Sequence, residues 1–228
     1  MDHQNLERMI SFDSKTELEI ALAKIIEAYL NEALQQRGSA TLLLSGGSTP
    51  GGVYRLLSNT NLNWSNIKVG LVDERFVGPE SEFSNFTLLS QTLLQNRAAK
   101  AELIPMVFDT ADYQKNLEKV EHAYRIFTEP DVCLLGMGPD GHTASIFPND
   151  AASQKALISN SAVAFNTNAP AHPTQRITCS AELLKNSKHL FLMLTGKQKL
   201  EVFEQAETLQ LPIAAFKHSL QETYYTES

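Results

Sequence analysis

Thr41-Leu42-Leu43-Leu44-Ser45-Gly46-Gly47-Ser48-Thr49-Pro50 is the stretch on which the fold turns. A short apolar run stops abruptly at two glycines and three small hydroxyls. Pro50 then offers the fixed φ that suits the first turn of a helix, and Val53, Tyr54, Leu56 and Leu57 follow at helical spacing. A strand buried on both faces reads as such a continuous apolar run. Strand, glycine-rich turn and helix together are the repeating unit of a parallel α/β sheet.

The same alternation extends in both directions. Upstream, Arg8 to Phe12 reads as a short edge strand. Ser14-Lys15-Thr16-Glu17 is a capping box, opening a helix that carries Leu18, Leu22, Ile25, Ile26, Tyr29 and Ala33 and stops at Gly38. Downstream, strands are expected at Ile67 to Val72, Glu102 to Val107, Asp131 to Leu135, Ala162 to Phe165, Arg176 to Cys179 and His189 to Leu194. Helices are expected at Ser84 to Gln95, Ala111 to Phe127 and from Lys197 to about Thr208. The expected fold is α/β: a doubly wound, mostly parallel sheet with helices on both faces, formed by one domain over residues 1–228. No linker, repeat or low-complexity tract divides it.

Bulk properties narrow the partners. A chain of 228 residues buries enough surface to need no metal or disulfide staple. Cys133 and Cys179 lie in apolar stretches, where a buried free thiol is the ordinary reading. A net charge of -7 without a basic cluster argues against nucleic acid and anionic membranes. Met1 to Phe12 has no apolar core of a leader peptide, and no run approaches the ~20 apolar residues of a membrane span. A cytoplasmic protein is expected, its oligomeric state left open. The histidines (His3, His122, His142, His172, His189 and His218) are scattered without metal-ligand spacing, so neither a metal nor another cofactor is expected.

Open parallel sheets bind ligands beyond the carboxyl ends of their strands. Four expected strands end in chemically useful residues, and their coincidence weighs more than any one motif. Ser45-Gly46-Gly47-Ser48-Thr49 can donate backbone N–H groups and hydroxyls to a phosphate at a helix start, although a plain tight turn with a Ser or Thr cap reads the same way. Asp73-Glu74-Arg75 follows the next strand; alone, it is an ordinary surface ion pair. Gly136-Met137-Gly138-Pro139-Asp140-Gly141-His142-Thr143 places a histidine in a glycine-rich loop, where it can serve as a base near neutral pH with Asp140 orienting it or holding a hydroxyl. Thr195-Gly196-Lys197 ends the last strand. Lys197 and Arg176 are candidate phosphate partners, a point charge and a planar fork.

These segments resemble the 6-phosphogluconolactonases of the glucosamine-6-phosphate isomerase/6-phosphogluconolactonase family. SGGSTP with a tyrosine in the next helix, VDERFV with Ser84-Asn85 beyond it, LLGMGPDGHTASIFP, QRIT and LTGKQK occur in that family's order between Leu42 and Phe203. The deaminases of the same fold typically carry Asp-Glu-Tyr where Asp73-Glu74-Arg75 stands, and an acidic residue shortly after the Asp-Gly-His core, where Thr143 to Pro148 has none. A departure from the lactonase pattern is Pro173-Thr174-Gln175 in place of a Pro-Pro pair before Arg176.

The resemblance implies a deaminase/lactonase-type Rossmann-like fold and hydrolysis of a phosphorylated sugar lactone, with no cofactor. It implies His142, Asp140 and Asp73 as catalytic residues, and the Ser45–Thr49 loop, Arg75, Asn85, Arg176 and Lys197 as substrate-binding ones. An amino-sugar phosphate deaminase or a non-catalytic sugar-phosphate sensor are the alternatives.

Overall fold

A computed structural model describes residues 8–228 of the chain. His3 and most of the stretch considered for a leader lie outside the described residues. Strand β1 (Arg8–Phe12) leads into helix α1 (Lys15–Arg37). Ser14 caps that helix by accepting a hydrogen bond from the Glu17 N–H. Gly38 ends it at φ 75°, donating its N–H to the Leu34 carbonyl. Leu18, Leu22, Ile26 and Leu30 recur every four residues and are fully buried, each worth roughly 1.5–3 kcal/mol of transfer free energy.

The chain continues through β2 (Ala40–Leu44), α2 (Gly51–Leu57), β3 (Ile67–Leu71), β4 (Asp73–Arg75), α3 (Asn85–Thr92), β5 (Glu102–Leu103), α4 (Tyr113–Ala123) and β6 (Val132–Leu135). It ends with α5 (Ala151–Ile158), β7 (Ala164–Asn168), β8 (Gln175–Cys179), α6 (Ala181–Lys185), β9 (His189–Thr195), α7 (Lys197–Glu204) and β10 (Glu222–Thr226). Seven strands form one sheet in the order β1-β10-β9-β6-β2-β3-β5, and every neighbouring pair is parallel. Leu42 to Leu44 and Val132 to Leu135 are wholly buried, which is why these strands carry unbroken apolar runs.

From β2 the chain steps outward to β3 and β5, then returns to lay β6 on the other flank of β2. The order reverses between β2 and β6, so the loops leaving these two strands diverge and open a crevice at the carboxyl edge of the sheet. The four strands whose polar ends were singled out are β9, β6, β2 and β3, consecutive neighbours in the sheet.

The largely parallel pattern does not extend to β4, β7 and β8, which form a second, antiparallel sheet in the order β4-β8-β7. Val72 joins the two sheets. Its N–H donates to Leu44 of the long sheet at 3.0 Å, while its carbonyl accepts from the Cys179 N–H of β8 at 2.9 Å. Buried side chains of β8, such as Ile177 and Cys179, belong to the same hydrophobic core as the long sheet. Other expectations shift locally. The strand from Glu102 shortens to two residues, the helix to Phe127 tightens into a 3-10 turn at Tyr124–Phe127, and Pro50 stands at the cap of α2 instead of inside its first turn. Strand β10 lies between β9 and β1 and was not expected, because Thr223, Tyr224, Tyr225 and Thr226 fill its buried positions without an aliphatic run. No helix of the described residues is long and apolar enough to cross a membrane.

Candidate active site

His142 stands in the loop that leaves β6. Its Nδ1 lies 2.5 Å from Asp140 Oδ1, and its backbone N–H donates to the same oxygen at 3.2 Å. Gly138 makes room for the ring: a Cβ there would fall 2.1 Å from the imidazole Cε1. The Gly138 N–H donates to the His142 carbonyl at 2.8 Å and closes the loop. Burial pushes the Asp140 carboxyl up, but the hydrogen bond and charge of His142 outweigh it, and the group is held below its ordinary value. With Nδ1 engaged by a carboxylate, Nε2 is the nitrogen free to accept a proton.

The facing wall leaves β2. Ser45 is 6% exposed, and its Oγ is buried without a hydrogen-bond partner. The Tyr54 hydroxyl, from α2, fixes the start of this loop by donating to the Ser45 carbonyl at 2.5 Å. Asn85 packs so closely on Gly46 that a Cβ there would lie 1.9 Å from its side-chain oxygen. Asn85 in turn donates from Nδ2 to the Asp73 carbonyl at 2.9 Å and approaches its carboxylate at 3.4 Å. The other Asp73 oxygen accepts from the Ser145 hydroxyl at 2.5 Å. Asp73 is therefore set by Ser145 and Asn85, and among the described carboxylates it is Asp140 that holds the imidazole.

Glu74 faces away and does structural service. It accepts from the backbone N–H groups of Arg75, Asn85 and Phe86 at 2.7–2.8 Å and from the Ser84 hydroxyl at 3.1 Å. Burial raises its carboxyl above the ordinary value, with those N–H groups working in the opposite direction. This carboxylate caps α3 and so places Asn85.

Arg75 and Arg176 meet because β4 and β8 run antiparallel, with these residues in register. Like charges directly opposite each other are unfavourable. Arg75 donates from Nη1 to the Phe83 carbonyl at 2.6 Å, yet its Nε is buried and unpartnered. Arg176 donates from Nε to the Pro173 carbonyl at 2.8 Å. Burial, and then the neighbouring Arg75, lower its guanidinium below the ordinary value. Two guanidiniums held side by side, with no carboxylate paired to either among the described residues, make a site that an anion would relieve.

Ser45, Gly46, Gly47, Ser48, Thr49, Asp73, Arg75, Asn85, His142 and Arg176 line one cleft. Asp140 supports it through His142. Lys197 does not line it: this residue is exposed, and Lys199 takes the place in the wall. Residues two apart on a helix point about 200° apart, so only one of the pair can face inward. The missed signal was Phe203, buried one turn beyond Lys199 on the same face. Burial lowers the Lys199 ammonium, and no ion pair engages it among the described residues. No group of three or more His, Cys, Asp or Glu side chains among the described residues could hold a metal. A histidine backed by a carboxylate and three cations thus meet at one cleft, an arrangement that suits an anionic substrate undergoing proton transfer.

The family model described as glucosamine-6-phosphate isomerases/6-phosphogluconolactonase matches residues 13–225. The 6-phosphogluconolactonase of Neisseria meningitidis is 36% identical over 208 residues, covering 89% of this chain and 90% of that one. That of Rhizobium meliloti is 37% identical over 213 residues, covering 90% of each. The crystal structure of a 6-phosphogluconolactonase from Shewanella baltica superposes with a TM-score of 0.88 at 35% identity, covering 97% of this chain and 98% of that one.

Proposed function

The chain belongs to the glucosamine-6-phosphate isomerase/6-phosphogluconolactonase family, and from that premise we propose that it hydrolyses 6-phospho-D-glucono-1,5-lactone to 6-phospho-D-gluconate, a step of the oxidative pentose phosphate pathway. The observation that carries this reading is the His142–Asp140 contact of 2.5 Å at the edge of a cleft lined by unpaired cations.

The phosphate rests on the Ser45–Thr49 loop, Arg176 and Lys199. His142 Nε2 takes a proton from water as its oxygen attacks the lactone carbonyl carbon. Asp140 holds the ring and stabilises the imidazolium. Negative charge develops on the carbonyl oxygen, and the Arg75 guanidinium or backbone N–H groups of the cleft stabilise it. As the tetrahedral intermediate collapses, the bond from C1 to the ring oxygen breaks and the imidazolium returns its proton to that oxygen. Asp73 and Asn85 accept and donate to sugar hydroxyls. No cofactor enters the scheme.

The test is disappearance of freshly generated lactone above its spontaneous rate. Acceleration by the wild type and its loss in His142→Ala support the reading. No acceleration, with ammonia released from glucosamine 6-phosphate instead, replaces it by deamination; silence in both assays leaves a sensor.

A further inference from the structure

In the stretch from Thr143 to Phe147 the last residue touches both His142 and Arg176. The Phe147 ring lies 4.7 Å from the His142 ring, centroid to centroid, at an interplanar angle of 45°. The same ring has the Arg176 Cζ 5.7 Å from its centroid. Phe147 is 3% exposed, so water does not reach the space it fills. Its backbone is pinned from α5: the Phe147 N–H donates to Ser153 Oγ at 2.9 Å, and Ser153 is held by Asp150 at the cap of that helix.

We propose that Phe147 is a positioning residue, whose ring seats the His142 imidazole and spaces it from the fixed charge of Arg176. The inference rests on the lactonase reading, in which His142 carries a proton for part of each turnover. An imidazolium in direct contact with a guanidinium is disfavoured, and Arg176 is already crowded by Arg75 in the facing strand. An aromatic ring shared by the two turns this difficulty around, because its electron-rich face attracts either cation. Asp140 attracts the imidazolium and Phe147 meets its ring, both from the loop that carries His142, while Arg176 of β8 stands over Phe147, and Asp73, Arg75 and Lys199 share the cleft. Phe147 thus lets a base take up a proton beside a permanent cation.

The pH profile of kcat/KM for the lactone tests this in the wild type, Phe147→Leu and Phe147→Tyr. Without the ring the imidazolium loses stabilisation, so its proton leaves more readily and the acid limb moves down. In Phe147→Leu we expect a displacement of about half a pH unit, of the size a partly exposed cation–π contact supplies. A kcat lower by about two- to threefold accompanies it because a weaker base removes the water proton less effectively, with KM changed by less than that. Phe147→Tyr keeps the ring and should keep the wild-type limb. A Leu variant with a wild-type acid limb overturns the proposal, whatever its rate, as does a Tyr variant displaced as far as Leu. Should Phe147→Leu not fold, Phe147→Met fills similar volume without a ring and is read the same way. A wild type inactive on the lactone removes the underlying reading instead, and is told apart because it is measured first.

Discussion

The two ends of the long sheet each bury an aspartate, in opposite electrical company. At the amino ends of the strands, Asp131 is 5% exposed and paired with Arg37 and Lys188, the latter at 3.1 Å, while the Thr41 N–H donates to it at 2.9 Å. Every charge there is answered by the protein itself. At the carboxyl ends, Asp73 bonds only the neutral Ser145 and Asn85, and Arg75, Arg176 and Lys199 have no carboxylate partner among the described residues. One end is electrostatically closed and serves stability. The other leaves its half-buried cations unanswered, which suits the anionic substrate proposed for it. Half-buried cations without carboxylate partners lose part of their hydration uncompensated, and their concentration at one edge is the pattern of a functional site.

The contrast breaks most visibly at the base. His142→Ala should lower kcat by about 10²–10⁴-fold, the usual share of general-base catalysis, with little change in ligand affinity; initial rates on fresh lactone decide it. Next come the unanswered cations. Arg176→Ala and Lys199→Ala should each raise KM by about 10–100-fold, the worth of a charge-assisted hydrogen bond, with kcat changed far less. Lys197→Ala is the control and should match the wild type; if it raised KM instead, the placement of these two lysines would be wrong.

At the closed end, Asp131→Asn should cost roughly 1–3 kcal/mol in urea unfolding while leaving kinetics alone. The lower figures are favoured because Arg37 and Lys188 remain 39% and 34% exposed, and solvent screens them. A raised KM in that variant would show the two ends to be coupled.

The smallest effect concerns Glu74, whose carboxyl is raised in the folded protein above its ordinary 4.5. Between those values the native state binds more protons than the unfolded one, so this group's contribution to stability is complete below 4.5 and is lost as pH rises through the folded value. The difference in unfolding free energy between wild type and Glu74→Gln should therefore shrink as pH climbs above about 4.5. A difference that grew with pH would reverse the assignment.

Much of the open end was legible because its residues sit where strands stop. Ser45 to Thr49, Asp73, Arg75, Asp140 and His142 each follow an apolar run directly, and the sheet converts that local signal into one cleft. Lys199 escaped because being next to Thr195-Gly196 favoured Lys197, whereas helix phase decides which lysine faces inward. The second sheet escaped because the pairing of Arg75 with Arg176 spans a hundred residues, and neither strand announces its partner. Ser145 and Phe147 drew no reading of their own within the family motif. Only folding puts the one on Asp73 and the other against His142. Asp131, at the closed end, drew no functional reading.

Val72 has a consequence for what descent can alter. Both of its links, to Leu44 and to Cys179, are made by backbone atoms. The offset between the wall that bears the base and the wall that bears the arginines is therefore inherited independently of the side chain at this position. Buried apolar residues can replace one another there over generations, and proline, which has no N–H for Leu44, is the substitution most plainly barred.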